Sequence, residues 1–264
     1  MKKGAILIIS IALAIFYVVY ALGGPTISWG GGTPNNGATI YTENISLNIT
    51  LTEDTNLSTF FDWNNSLVGY WNFESYNNSG IFDNSSHDNF LSFYGSLSSS
   101  SLMDSSYGSG MYFDGVNGKL QLDWVSSLDK PVEGLTISFW LNQSVMPDWN
   151  YDFLVARAYS TSWTDPYFEY GIVSKNVVGN TTHFKLSSRI DGTAHGDSNP
   201  VSYGEWHHIS LVWDGSSQDL TYYVDGVAAG TDNQGISSIA YQLNGPLLVG
   251  LNLDNGEDFK GSLD

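Results

Sequence analysis

The chain has 264 residues, of which only 9 are Lys or Arg against 27 Asp or Glu, giving a formal net charge of −18. That balance repels phosphate backbones and excludes nucleic-acid partners, while the absence of cysteine excludes disulfides, thiolate nucleophiles and Cys-based zinc sites. Charged residues make up 14% of the chain, below the roughly 25% of ordinary soluble domains, so Ser, Thr, Asn and Gly must carry the polar surface, as suits an exported protein held by its core and a hard cation.

Residues 1–24, "MKKGAILIISIALAIFYVVYALGG", set Lys2 and Lys3 before an apolar stretch that runs from Ala5 to Gly24. A cleaved secretory signal has an apolar region of about 7–15 residues, whereas about 18 or more can cross a bilayer. The length predicts a retained transmembrane anchor, with its lysines in the cytoplasm and the chain after Gly24 outside. Two cleaved readings stand beside it. Ala21-Leu22-Gly23 offers small residues to signal peptidase, and Lys3-Gly4 before an apolar run has the form of a prepilin-type processing site.

Residues 25–65 are rich in Gly, Asn and Thr, with the turn-forming "GGGTPNNG" around Pro34 and then "SLNITLTE", where Leu47, Ile49 and Leu51 alternate with polar residues. This predicts a short β spacer. From residue 66 to 264 strand patterns recur with Gly, Asn and Asp between them: "LVGYWNF", "GMYFDG", "KLQLDW", "LTISFWL", "FEYGIV", "HFKLSSRI", "HHISLVW", "LTYYVDG" and "PLLVGLN". No sustained helical period appears, so the class is all-β, a two-sheet antiparallel sandwich or jelly roll. In "HHISLVW" His207, Ile209, Leu211 and Trp213 share one face, and His208, Ser210 and Val212 the other. "DGSSQD" leads into "LTYYVDG", and Asp225-Gly226 accepts the positive φ of a tight hairpin, so three consecutive antiparallel strands are predicted here.

Taken in order, "LVGYWNFE", "DNSSHDNFLSFYG", "YGSGMYFDGVNGKLQL", "LTISFWL", "GEWHHISLVWDG", "LTYYVDGVAAG", "LLVGLN" and "FKGSLD" resemble the laminin G-like jelly roll of the concanavalin A-like lectin/glucanase superfamily, in the form common on bacterial and archaeal surface proteins. The resemblance covers residues 66–264. It implies a sugar-binding or adhesive module, often with a structural calcium, whose first and last strands lie close together. Members of the family continue past the motif matched by "FKGSLD" with one more strand, so the jelly roll is expected to lack its last strand and to leave a groove near Val68 to Phe73.

Adjacent histidines in a strand point apart, so His207 and His208 are expected to be structural, as are Trp71, Trp140, Trp206 and Trp213 within the strand motifs, which are assigned to the core. The Glu-x-Asp-x-(x)-Glu pattern of the superfamily's glucanases is absent, as are Gly-x-Ser-x-Gly and His-Glu-x-x-His, so no catalysis is expected. A calcium ion would draw on Asp83, Asn84, Asp88 and Asn89 in "FDNSSHDN" and on Asp254, Glu257, Asp258 and Asp264 near the last strand. The same residue types also make turns, and on the sequence both readings stay open. For a sugar, which offers a C–H face and a rim of hydroxyls, the candidates are Trp149, Tyr151, Trp163 and Tyr167 with Asp148, Asn150 and Asp165. Eight sequons, at Asn44, Asn48, Asn56, Asn64, Asn77, Asn84, Asn142 and Asn180, offer glycan acceptors in an exported chain. The expected protein is a membrane-anchored cell-surface module that binds carbohydrate or another surface protein. A pilin-like filament subunit and a glycan hydrolase are the alternatives.

Overall fold

The computed structural model describes residues 26–29, 31, 49–52, 66–129, 131, 133–144, 151–158, 168–190, 193–233, 235–239, 245–250 and 258–264. The chain divides into two units, Met1–Phe61 and Asp62–Asp264. In the first, β1 (Thr26–Trp29) pairs antiparallel with β2 (Ile49–Thr52), the strand that the Ile49/Leu51 alternation predicts. The apolar N-terminal segment lies outside the described residues, among which no helix is long and apolar enough to cross a membrane.

The second unit is built almost wholly of strands. They are β3 (Tyr76–Asn77), β4 (Gly80–Ile81), β5 (Leu91–Tyr94), β6 (Leu102–Ser105), β7 (Gly108–Asp114), β8 (Lys119–Leu122), β9 (Gly134–Gln143), β10 (Tyr151–Ala158), β11 (Phe168–Asn176), β12 (His183–Ile190), β13 (Thr193–Asp197), β14 (Val201–Ser202), β15 (His207–Asp214), β16 (Asp219–Val224), β17 (Val227–Asp232), β18 (Leu247–Val249) and β19 (Lys260–Leu263). A ten-stranded sheet runs in the order β13-β12-β11-β10-β18-β8-β5-β4-β3, with β14 also on β12, and a seven-stranded sheet runs β17-β16-β15-β9-β19-β7-β6. Neighbours pair antiparallel throughout. The architecture is the expected jelly-roll sandwich.

One core lies between the sheets. Met111, Phe113, Leu141, Ile209, Leu211, Trp213 and Tyr222 from the seven-stranded sheet meet Ile81, Leu91, Leu120, Leu154, Ile172, Phe184 and Leu186 from the other. Burial of each such side chain contributes about 1.5–3 kcal/mol. The predicted alternation in β15 holds, with Ile209, Leu211 and Trp213 buried and the Trp213 indole donating to Ile236 O at 2.9 Å. Asp225 (φ 51) and Gly226 (φ 76) form the predicted tight turn between β16 and β17. Gly261 in "FKGSLD" has φ 153, and a Cβ there would meet Asn142 O at 2.4 Å, so only glycine lets β19 lie against β9.

Three expectations are corrected. Residues 67–72 form no strand, because their backbone groups bond to side chains and loops instead: the Tyr70 amide donates to Asp83 Oδ1 at 2.7 Å, and Tyr70 O accepts from the Asn84 amide at 2.7 Å. Residues 151–158, which are absent from the strand patterns read in the sequence, form the central strand β10. Its alternation is hidden by a bulge at Leu154 and by burial on both sides, since Phe153 and Ala156 pack in a second cluster with Val173 and Leu248 while Leu154 faces the main core. Trp140 does not belong to the core, and its surroundings are described with the site below.

At one end of the inner space Arg157, fully buried, donates to Glu169 Oε2 at 2.9 Å and to the Asp129 carboxylate, and Tyr170 OH donates to Leu128 O at 3.0 Å beside them. Removing the guanidinium leaves Glu169 without its buried counter-charge. Arg157→Met is therefore expected to lower stability by about 3–5 kcal/mol, seen in denaturant unfolding as a lower midpoint at an unchanged slope.

Candidate functional site

Period-two alternation that buries Leu141 sends Thr136, Ser138, Trp140 and Asn142 of β9 to the outer side of the seven-stranded sheet. Register then places Trp140 opposite His208, Ser138 opposite Ser210, and Asn142 opposite Ser262, which in turn faces Tyr112. The Trp140 amide donates to Asp264 O at 2.6 Å and its carbonyl accepts from the Asp264 amide at 3.0 Å, so the acid at the end of β19 lies alongside the indole. The two-residue turn between β6 and β7 carries Tyr107, 68% exposed, whose ring lies 4.7 Å from that of Trp140 at 35°. His208 meets the other edge of Trp140 at 5.2 Å, and its Nε2 lies 3.0 Å from Ser138 Oγ, which is 2.9 Å from Ser210 Oγ.

Two carboxylates border this aromatic shelf. Asp264 Oδ2 accepts from the Ser105 hydroxyl, and Glu74 Oε1 accepts from the Ser109 amide at 2.5 Å. Burial holds the Asp264 carboxyl above its ordinary range, against the hydrogen bonds from Ser105 and the Tyr107 amide, and the Glu74 charge adds to the rise. Tyr112 and Met103 extend the exposed apolar surface, with Ser262 Oγ donating to Met103 Sδ at 3.1 Å. A flat ring, a rim of hydroxyls and two acceptor-only carboxylates complement a hydroxyl-rich ring that has an apolar face.

Of the residues expected to bind ligand, Tyr151 alone is among the described residues. Trp149, Trp163, Tyr167, Asp148, Asn150 and Asp165 lie outside the described residues. Tyr151 opens β10 on the outer side of the ten-stranded sheet, where Lys175 Nζ and Arg189 Cζ lie over its ring at 6.0 and 5.6 Å and Lys175 pairs with Asp197 at 2.9 Å. Its π-surface is thus engaged by cations. The shelf escaped the sequence because Tyr107 stands in a Gly/Ser-rich turn and Trp140 was assigned to the core. The outward parity of Trp140 with Ser138 was the available signal.

Among the described residues, the acids expected to hold calcium are engaged in separate hydrogen bonds. Asp83 Oδ1 accepts from the Tyr70 and Ser85 amides at 2.7 and 2.8 Å, and Oδ2 from Ser85 Oγ and the Asn89 amide at 2.7 and 3.0 Å. Its acceptor capacity is spent on the loop itself, which does not suit it to a cation. Buried Asn89 ties Val68 O at 2.8 Å, whereas Asn84 and Asp88 are exposed. Asp258 Oδ2 accepts from the Asn117 amide at 3.2 Å, Asp264 borders the shelf, and Asp254 and Glu257 lie outside the described residues. Among the described residues no three His, Asp or Glu side chains form a metal-holding group. Of the sequons, Asn77 and Asn84 are exposed and Asn142 and Asn180 half-buried, while Asn44, Asn48, Asn56 and Asn64 lie outside the described residues.

His207 links Asp225 Oδ2 at 2.8 Å on Nδ1 to Ser202 Oγ at 2.8 Å on Nε2, the connectivity of an acyl-transfer triad. Ser202 Oγ, however, also donates to Glu205 Oε2 at 2.9 Å. With its one proton on Glu205 the serine faces His207 as an acceptor, the reverse of what a nucleophile needs. The Tyr203 and Gly204 amides beside it are spent on Thr182 O and Gln143 O. This hydrogen-bonded series ties the β16–β17 turn to β15 and to Ser202.

A family model described as the concanavalin A-like lectin/glucanases superfamily matches residues 113–264, more than half of the chain. The chain belongs to this superfamily. Similar solved structures include a heptameric SAP-like pentraxin from Limulus polyphemus, at 16% identity over 58% of this chain and 71% of that one with a TM-score of 0.43. A putative carbohydrate binding protein from Bacteroides ovatus matches at 11% identity over 70% of this chain and 49% of that one, TM-score 0.43. The CBM40 of Ruminococcus gnavus IT-sialidase, bound to α2,3 sialyllactose, matches at 13% identity over 58% and 85%, TM-score 0.41. No curated protein matches the chain. In this member of the superfamily the Asp225 clamp has a pH signature. Although burial pushes the Asp225 carboxyl up, hydrogen bonds from His207 and the His208 amide hold it below its ordinary range. Its contribution is present above the unfolded-state pKa and is lost as pH falls through the folded one. The stability gap between wild type and Asp225→Asn, followed by thermal melting, should therefore close as pH drops below the normal aspartate range.

Proposed function

We propose that the protein is a carbohydrate-binding module of the cell surface that takes a neutral, hydroxyl-rich sugar on the outer shelf of its seven-stranded sheet, without turnover. The observation that carries this reading is the Tyr107 ring, exposed and stacked on Trp140, with the Asp264 carboxylate and the Ser138 and Ser210 hydroxyls around it. In this reading Tyr107 and Trp140 receive the apolar face of a pyranose, and Asp264, Glu74 and Ser138 bond its hydroxyls. Membership in a superfamily of lectins and glucanases supports it. The apolar N-terminal segment would anchor the chain with residues 25–264 outside, and the sequons between would bear glycans.

A glycan screen with the full chain is the test. Tyr107 is exposed, so Tyr107→Ala should fold normally and weaken the best glycan about tenfold or more, as the loss of roughly 1.5 kcal/mol of aromatic contact implies. Tyr151→Ala, on the other sheet, should bind as wild type. Loss in Tyr151→Ala with Tyr107→Ala unaffected would move the site to the ten-stranded sheet. The Glu74 charge beside the raised Asp264 carboxyl favours a second reading, a glycan hydrolase. Release of reducing ends from a polysaccharide panel, abolished in Glu74→Gln, would replace binding with hydrolysis.

A further inference from the structure

β9 and β10 follow each other in the chain but belong to opposite sheets, and a buried hydrogen bond joins the end of one to the start of the other. Gln143 Nε2 donates to Asp152 Oδ2 at 2.7 Å, and the two residues are 1% and 0% exposed. Backbone pairing fixes both. Gln143 lies opposite Gly261 of β19 and its carbonyl accepts from the Gly204 amide at 2.9 Å, while Asp152 lies opposite Ser174 of β11. One oxygen of each side chain is left over: Asp152 Oδ1 and Gln143 Oε1 are buried without a hydrogen-bond partner, and the Ser174 hydroxyl makes no bond to them. Both leftover oxygens are acceptors when Asp152 is ionised, so neither can serve the other, and a buried acceptor without a donor is destabilising.

We propose that Asp152 is the titrating half of a proton-dependent bridge between the two sheets: as the neutral acid it accepts from Gln143 at Oδ2 and donates from Oδ1 to Gln143 Oε1. The proton adds the one donor that the pair lacks, so a single group satisfies both leftover oxygens. The link then becomes a reciprocal carboxyl–carboxamide pair with two hydrogen bonds. Loss of the proton leaves one bond and a buried charge without a cation to offset it. Leu141 and Gln143 on β9, Ser174 on β11, and Phe259 and Gly261 at β19 carry no charge. Lys260 is exposed, and Lys175 lies over Tyr151 on the outer side of the sheet, paired with Asp197 at 2.9 Å. The charge that acts on Asp152 is negative, from the Asp258 carboxylate. The bridge needs no ligand on either face and stands independently of sugar binding.

Burial pushes the Asp152 carboxyl from 3.8 to about 7, against the hydrogen bond from Gln143 and with the Asp258 charge adding to the rise. The folded chain therefore keeps a proton that the unfolded chain gives up at lower pH. The contribution of the bridge is full below 3.8 and is lost as pH rises through about 7. Asp152→Asn keeps the shape and supplies a permanent donor for Gln143 Oε1. Thermal melting of the full-length chain and this variant from pH about 5 to about 9 is the test. The two midpoints should nearly coincide at the acid end, and wild type should fall several degrees below the variant at the alkaline end. The infrared carbonyl band of a protonated carboxyl gives a second readout that does not depend on the variant folding. In wild type it should persist above pH about 6, where ordinary carboxyls are ionised, and fade by about 8. A variant midpoint that tracks wild type across the whole range would overturn the proposal. So would loss of the infrared band by pH about 5, which would make the buried group an ordinary carboxylate.

Discussion

The pairing of β9 with β15 on one side and β19 on the other is the constraint from which the core and the outer shelf both follow. In a strand the side chains alternate, so the register that places Leu141 against His207 and Leu263 in the backbone ladder also places Trp140 beside His208 and Asp264 on the far side. A slip of one residue would expose Leu141 and bury Trp140 and Ser138, exchanging both faces at once. Gly261 guards the register on the β19 side, because any side chain there would strike Asn142 O. The tight Asp225-Gly226 turn guards it on the other, with Asp225 accepting from the His208 amide at 2.9 Å and so tying the turn back to β15.

The sequence was most legible where one face of a strand is wet. In β15 the buried Ile209, Leu211 and Trp213 alternate with half-buried His208, Ser210 and Val212, and the pattern names both faces correctly. In β10 both faces are dry and a bulge breaks the count at Leu154, so eight strand residues carried no period to read. Residues 67–72 failed in the opposite sense. They look like a strand, but Asp83 and Asn84 offer their backbone nearer partners than any ladder does. Trp140 shows the limit of arguing from residue type, since a tryptophan in a strand motif is not thereby in the core; Trp213 is 1% exposed, whereas Trp140 stands on the side of Ser138 and Asn142.

The acidic composition is distributed by role. Asp83 and Asp225 spend their oxygens on backbone amides and so substitute for missing ladder bonds at the first loop and at the β16–β17 turn. Asp129 and Glu169 are balanced by Arg157, one of only nine basic residues in the chain.

The same scarcity bears on what the shelf can select. Glu74 and Asp264 are both acceptors, and the net charge of −18 adds a field that disfavours any anion approaching them. A ligand that meets Tyr107 and Trp140 while donating hydrogen bonds to two carboxylates must be uncharged or cationic and rich in hydroxyls. On the proposed reading, an anionic sugar would approach the shelf against that field. The cationic surroundings of Tyr151, with Lys175 and Arg189 over its ring, would make the opposite choice. The outer sides of the two sheets thus differ in the charge they set around an aromatic ring, so on the proposed reading the charge of the best-bound glycan would discriminate between them independently of any substitution.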